Sequence, residues 1–178
     1  MTQSAIKVGE NRYRASYGRY LEEFHVGDIY EHRPGRTITD ADNIQFSLMT
    51  MNAHPMHCDA HFAAQSEFGR LLVNSGLTLA IVLGMTVNDV SGKSPANLGW
   101  TGIKLTHPVF AGDTLYAESE VLNLRDSASR PTQGIVTTRT RAFNQHGKQI
   151  MEFTRNSLVY KRGHAPGDVP PTGDAKTV

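Results

Sequence analysis

Fifteen consecutive residues, Asn74 to Asn88 (NSGLTLAIVLGMTVN), carry no Asp, Glu, Lys or Arg and are apolar on nearly every face of a helix. A surface helix has one apolar stripe, whereas a helix apolar all round must be covered on several sides. In a small domain the element that covers a single helix in this way is a curved sheet. The segment is too short for a membrane span, which takes about 20 apolar residues. With 178 residues in the chain, one compact domain built around this helix is expected.

The second half supplies the sheet. Residues 96–104, 114–124, 134–144 and 148–161 are rich in Val, Thr, Tyr, Phe and Ile, and QHGK at 145–148 is a hairpin turn signal. Short strands near Ile29 and at Arg36–Thr39 bring the total to five or six. Thr39 and Asp40 offer a cap to a helix with Ile44, Leu48 and Met49 on one face. Pro55 then breaks the backbone, and a short helix is expected over Asp59–Glu67. The fold class is α+β: an antiparallel sheet of five or six strands wrapped around one long central helix. Residues 1–19 show no clean period and are read as an irregular lead-in, residues 20–162 as the domain. Residues 163–178, GHAPGDVPPTGDAKTV, cannot repay the entropy of ordering and are read as a flexible tail.

Charge narrows the partners. Eighteen basic against 17 acidic side chains leave a formal net charge of +1, too little to hold a polyanion, so no nucleic acid is expected. No membrane partner is expected either. The single cysteine, Cys58, excludes an intramolecular disulfide framework and suits a reducing compartment. The first twenty residues lack the apolar run of a secretory signal, so a cytoplasmic location is expected.

Three stretches carry a family resemblance: NAHPMH at 52–57 with the following CDAHFAA, LLVNSGLTLAIV at 71–82, and NLGWTGIKLTHPVFAGDTLYAESEV at 97–121. Together they make the chain resemble the MaoC-like (R)-specific enoyl-CoA hydratase family of the hot-dog fold. LVNS at 72–75, where a histidine-glycine pair is usual, looks like the mesaconyl-CoA hydratase branch. The resemblance implies an acyl-CoA thioester substrate, no metal, no redox cofactor, and a homodimer or dimer of dimers with sites beside the central helix. It also implies hydratase or dehydratase activity on an enoyl-CoA, with a branched or dicarboxylic C5 ester such as mesaconyl-CoA expected.

Adding water to an alkene conjugated with a thioester needs a base for the water, an acid for the α-carbon, and donors for the enolate oxygen. The family supplies the first two through an aspartate and a histidine five positions later, which fall here on Asn52 and His57. A carboxamide cannot take a proton in the working range, so Asn52 is read as orienting water. His57 is read as the base, since an imidazole titrates near neutrality. His54, at the family's asparagine position, is the candidate second acid, and backbone N–H groups of Ser75 and Gly76 at the helix start are the candidate thioester-oxygen donors. Asn74, Arg70, Trp100 and Lys104 are candidate substrate contacts, the two cations for a carboxylate or for CoA phosphates.

Each has a plainer reading: a cap for Asn74 or Ser75, core packing for Trp100, surface charge for Arg70 and Lys104. HPMHCDAH at 54–61 also resembles a metal cluster, but Pro55 interrupts its geometry and no metal is expected. Cys58 is read as a spectator. Two rival functions remain open: an acyl-CoA thioesterase, disfavoured because no Asp or Glu lies on the central helix, and a non-catalytic acyl-CoA-binding protein that has lost the aspartate.

Overall fold

The structure is a computed structural model and describes residues 6–167. Two short strands, β1 (Ile6–Gly9) and β2 (Arg12–Arg14), pair as an exposed ribbon, correcting the irregular lead-in over part of its length. A 3₁₀ turn at Leu21–Glu23 leads to β3 (Ile29–Thr37), α1 (Asp40–Met49), α2 (Pro55–Cys58), α3 (Ala60–Ala64) and α4 (Ser75–Met85), which ends in a π-helical turn at Val87–Ser91. Four long strands follow: β4 (Ala96–Leu105), β5 (Thr114–Asp126), β6 (Gln133–Phe143) and β7 (Gln149–Tyr160). The five strands from β3 onward form one antiparallel sheet in the order β3-β5-β6-β7-β4. The two strands expected near Ile29 and Arg36 are one, with a register shift between His32 and Arg36. Pro55 opens α2 instead of breaking a helix, because a first-turn residue has no N–H partner to lose. Of the expected tail, residues 168–178 lie outside the described residues.

Alternation along β5, β6 and β7 sends every second side chain inward against α4. Leu77 and Val82 of the helix pack with Leu115, Ala117, Ala142 and Phe153 of the sheet. The wrapping is incomplete within one chain. Gly76, Ala80, Gly84 and Val87 form an exposed line along α4, so the all-round apolar pattern is covered on the sheet side only. The α1 expectation is also corrected: Leu48 and Met49 are exposed, and the inward positions are Asn43 and Ser47.

The concave face holds a buried polar cluster at the far end of α4. His32 is within 2.8 Å of Ser119 Oγ through Nε2, Ser119 Oγ within 2.8 Å of Thr140 Oγ1, and His32 Nδ1 within 3.4 Å of the Asp89 carboxylate. Burial lowers the His32 imidazole below its ordinary value, opposed by Asp89. A histidine kept neutral when folded, yet free to take a proton when unfolded, stabilises above its ordinary pKa of 6.5 and loses that contribution as pH falls below it. Urea midpoints compared at pH 7 and pH 5 should therefore drop more for the native chain than for His32→Gln. Equal drops would contradict this account.

Candidate active site

The end of α1 sets the first site residue. Thr50 closes the helix, Met51 N–H donates to Leu48 O at 3.1 Å, and Asn52 N–H donates to Ser47 O at 2.8 Å. This is a Schellman closure, and its left-handed position, usually glycine, is Met51 with φ 57°. Met51 is 91% exposed, so its side chain contributes almost no packing. A left-handed non-glycine residue costs about 1–2 kcal/mol, partly offset by glycine's greater freedom in the unfolded chain. Met51→Gly is accordingly expected to stabilise by about 0.5–1 kcal/mol, read as a raised urea midpoint; an unchanged or lowered midpoint would contradict it.

The closure delivers the chain into the NAHPMH turn. Asn52 Oδ1 accepts the His54 N–H at 3.1 Å, leaving its Nδ2 without a partner among the described residues. His54 caps α2, with Nδ1 accepting the Met56 N–H at 3.2 Å. His57, half-buried, has Nδ1 2.8 Å from the Leu72 carbonyl oxygen. A carbonyl only accepts, so Nδ1 carries the proton and Nε2 carries the lone pair. The His54 and His57 rings lie with centroids 5.8 Å apart. Cys58 turns its thiol back to the His54 carbonyl at 3.6 Å, and His61 is exposed on α3. Among the described residues no three His, Cys, Asp or Glu side chains are grouped so as to hold a metal ion.

The segment that receives His57 also starts the central helix. Leu72 N–H donates to Met56 O at 3.1 Å and Val73 N–H to Val109 O at 2.9 Å, so residues 72–73 bridge the histidine turn and the Pro108–Phe110 loop before α4 begins. Asn74, only 4% exposed, caps α4 by accepting the Gly76 N–H at 2.9 Å, and its Nδ2 reaches Ser47 Oγ at 3.3 Å. Asn74 thus faces inward with both amide atoms engaged. Gly76 likewise has its N–H occupied, whereas Ser75 N–H has no partner among the described residues. Ser75 borders a mainly apolar cleft of about 270 Å³, together with Phe68, Leu72, Thr78, His107 and Val109. A second, polar cavity of about 410 Å³ shares His107 and Pro108 with it and is lined by Arg70, Gln145 and His146 among others. Arg70 holds its guanidinium 4.0 Å over the Phe110 ring at the second cavity.

Trp100 and Lys104 sit elsewhere. Both are on β4 and line neither cavity; Lys104 Nζ is 3.1 Å from Glu152, and Trp100 stands exposed opposite Arg155. Asn52, His54 and His57 line neither cavity either, and His57 is tied to the first one through Leu72, which does. Sequence reading passed over two residues the structure brings in. His107 borders both cavities, and its signal was its place directly before the quoted Pro108–Phe110 motif. Asn43 is 2% exposed and bonded to the backbone on both sides of the site; its signal was a polar pair with Ser47 four residues on, one turn apart on a helix face.

The sequence matches the family described as mesaconyl-CoA hydratase over residues 4–177. Mesaconyl-CoA hydratase of Cereibacter sphaeroides is 31% identical over 159 residues, which are 89% of this chain and 46% of that protein. The chain therefore spans about half the length of the curated relatives it matches first. A solved structure of a MaoC domain protein dehydratase from Chloroflexus aurantiacus, so described with its function still conjectural, superposes with a TM-score of 0.78 at 30% identity, covering 90% of this chain and 44% of that one. A Mycobacterium tuberculosis protein with a double hot-dog fold superposes with a TM-score of 0.75 at 21% identity over 89% of this chain and 49% of that one, a likeness of fold.

Proposed function

Because the chain belongs to the mesaconyl-CoA hydratase family and has the hot-dog fold, we propose that it reversibly adds water across the double bond of an enoyl-CoA thioester, with a branched dicarboxylic C5 ester such as mesaconyl-CoA as substrate. The observation that carries this reading is the His57 Nδ1 contact with the Leu72 carbonyl, which ties the imidazole to the segment that opens α4 and in the neutral ring leaves the lone pair on Nε2. Nε2 takes a proton from water while the oxygen bonds to the β-carbon, and the double-bond electrons move onto the thioester as an enolate. The α-carbon then takes a proton from the imidazolium, closing the balance with no electron acceptor, so no redox cofactor is called for. The free Asn52 Nδ2 orients the water, and the unpaired Ser75 N–H at the positive end of α4 receives the enolate oxygen. The acyl end and its thioester lie in the cleft beside Ser75, and Arg70 and His107 offer the polar cavity to the phosphates of CoA.

The reading includes a second hot-dog copy. Edge strand β4 exposes Leu98, Trp100, Ile103 and Leu105, α4 exposes Ala80 and Gly84, and the π-helical turn after it exposes Val87. An unpaired apolar edge beside an open helix face is what a second copy would cover, and relatives twice as long leave room for a second such unit. A cytoplasmic location goes with this reading, in keeping with a chain whose single cysteine allows no intramolecular disulfide. No helix among the described residues is long and apolar enough to cross a membrane.

Incubation with mesaconyl-CoA and crotonyl-CoA, following product mass and free thiol, tests the function. A gain of one water with the thioester intact is expected. Thiol release would mean a thioesterase instead, and binding without either change a non-catalytic acyl-CoA-binding protein.

A further inference from the structure

We propose that Asn43 is a positioning residue of this site, a single carboxamide that fixes the His57 imidazole in its Nδ1–H tautomer and ties it to the start of α4; its effect on rate rests on the hydratase reading, its effect on the tautomer does not. Asn43 sits on the inward face of α1, where a helix packed on a core would ordinarily carry an apolar side chain. Both of its Nδ2 protons and its Oδ1 are engaged. Nδ2 donates to the His57 carbonyl at 3.0 Å and to the Leu72 carbonyl at 3.2 Å, while Oδ1 accepts the Asn74 N–H at 2.8 Å.

The partners matter more than the number of bonds. Leu72 O is also the acceptor for His57 Nδ1, at 2.8 Å, so Asn43 takes one lone pair of that oxygen and leaves the other for the imidazole. A carbonyl pinned in this way holds the ring's direction and keeps the proton on Nδ1, which keeps the lone pair on Nε2. The second Nδ2 proton fixes the backbone of His57 itself. Oδ1 fixes the residue directly before Ser75, the enolate-oxygen donor. One rigid planar group thus sets the base, the base's own acceptor and the anion donor in a common frame. Only an amide of this length fits: aspartate lacks the two donors, leucine lacks all three functions, serine has a single donor, and glutamine displaces the plane by a methylene.

Misplacement by about 1 Å in such a frame costs about 10²-fold in rate. A group that acts through geometry and never touches substrate should lower kcat while leaving KM nearly unchanged.

The test uses nitrogen-15 spectra of His57 together with steady-state kinetics. In the native chain His57 should be the Nδ1–H tautomer. In Asn43→Leu it should become a mixture of both tautomers, with kcat down about 10–10²-fold and KM within about 3-fold. Asn43→Asp, which keeps the volume and the acceptor toward Asn74, should show the same tautomer change and serves if the leucine variant does not fold. A native spectrum dominated by Nε2–H, or an unchanged tautomer with unchanged kcat in a folded variant, would overturn the proposal. If the native chain hydrates no enoyl-CoA, the hydratase reading fails on its own, and the tautomer result still decides the role of Asn43.

Discussion

Asn52→Asp is expected to raise crotonyl-CoA kcat/KM relative to mesaconyl-CoA kcat/KM by about 10³-fold. At 4 Å and an effective dielectric of 20, a carboxylate at position 52 would repel a carboxylate of the substrate by about 4 kcal/mol, and every 1.4 kcal/mol is about tenfold. The substitution isolates charge, because aspartate can still accept the His54 N–H that Asn52 Oδ1 accepts at 3.1 Å, so the turn is retained. Crotonyl-CoA carries no such carboxylate and meets a second base at no electrostatic cost. Kinetics of the two substrates on the two proteins check this, and an unchanged ratio would remove the charge explanation for asparagine at this position.

His57→Gln should lower kcat for hydration by about 10²–10⁴-fold, the usual contribution of a positioned acid-base group. Glutamine can still donate to the Leu72 carbonyl, but it has no basic nitrogen to take the proton of water. KM should change little, because the proton transfer is felt in the transition state and hardly at all in the bound substrate. A variant that kept native kcat would assign the base elsewhere, with His54 the neighbouring imidazole at 5.8 Å between ring centroids.

The sheet and the central helix were legible because their patterns repeat. Alternation over a dozen residues in β6 and β7 leaves one reading of which side chains face inward, and NSGLTLAIVLGMTV has no charge with which to face water. What it could not show was the open line along Gly76, Ala80, Gly84 and Val87, since small and apolar residues read alike whether or not the sheet covers them. Hydropathy chose the wrong face of α1. It favoured Leu48 and Met49, whereas the buried face carries Asn43, whose amide satisfies the backbone around the site, and Ser47, whose hydroxyl accepts from Asn74 Nδ2. The end of α1 was hidden for a related reason: Met51 occupies a left-handed position that glycine would have announced.

Site residues separated along the same line. His57 was singled out through its motif, and the fold sets its Nδ1 against the Leu72 carbonyl, which no motif specifies. Asn74 looked like a substrate contact and Gly76 like a thioester-oxygen donor because they open the central helix, but capping commits them to each other. Trp100 and Lys104 lie within a stretch that resembles the family, yet of β4 only Leu105 lines the first cavity, and neither of the two reaches either one.

The central claim is that His57 hands the proton of water across an enoyl-CoA double bond. Its most direct measurement is single-turnover incorporation of oxygen-18 from labelled water into mesaconyl-CoA, by the native chain and by His57→Gln, with substrate saturating both. The native chain should place one labelled oxygen on the β-carbon with the thioester intact, while the variant binds the ester and leaves it unlabelled on that timescale. Label in a released carboxylate, or equal incorporation by the two proteins, would contradict the account.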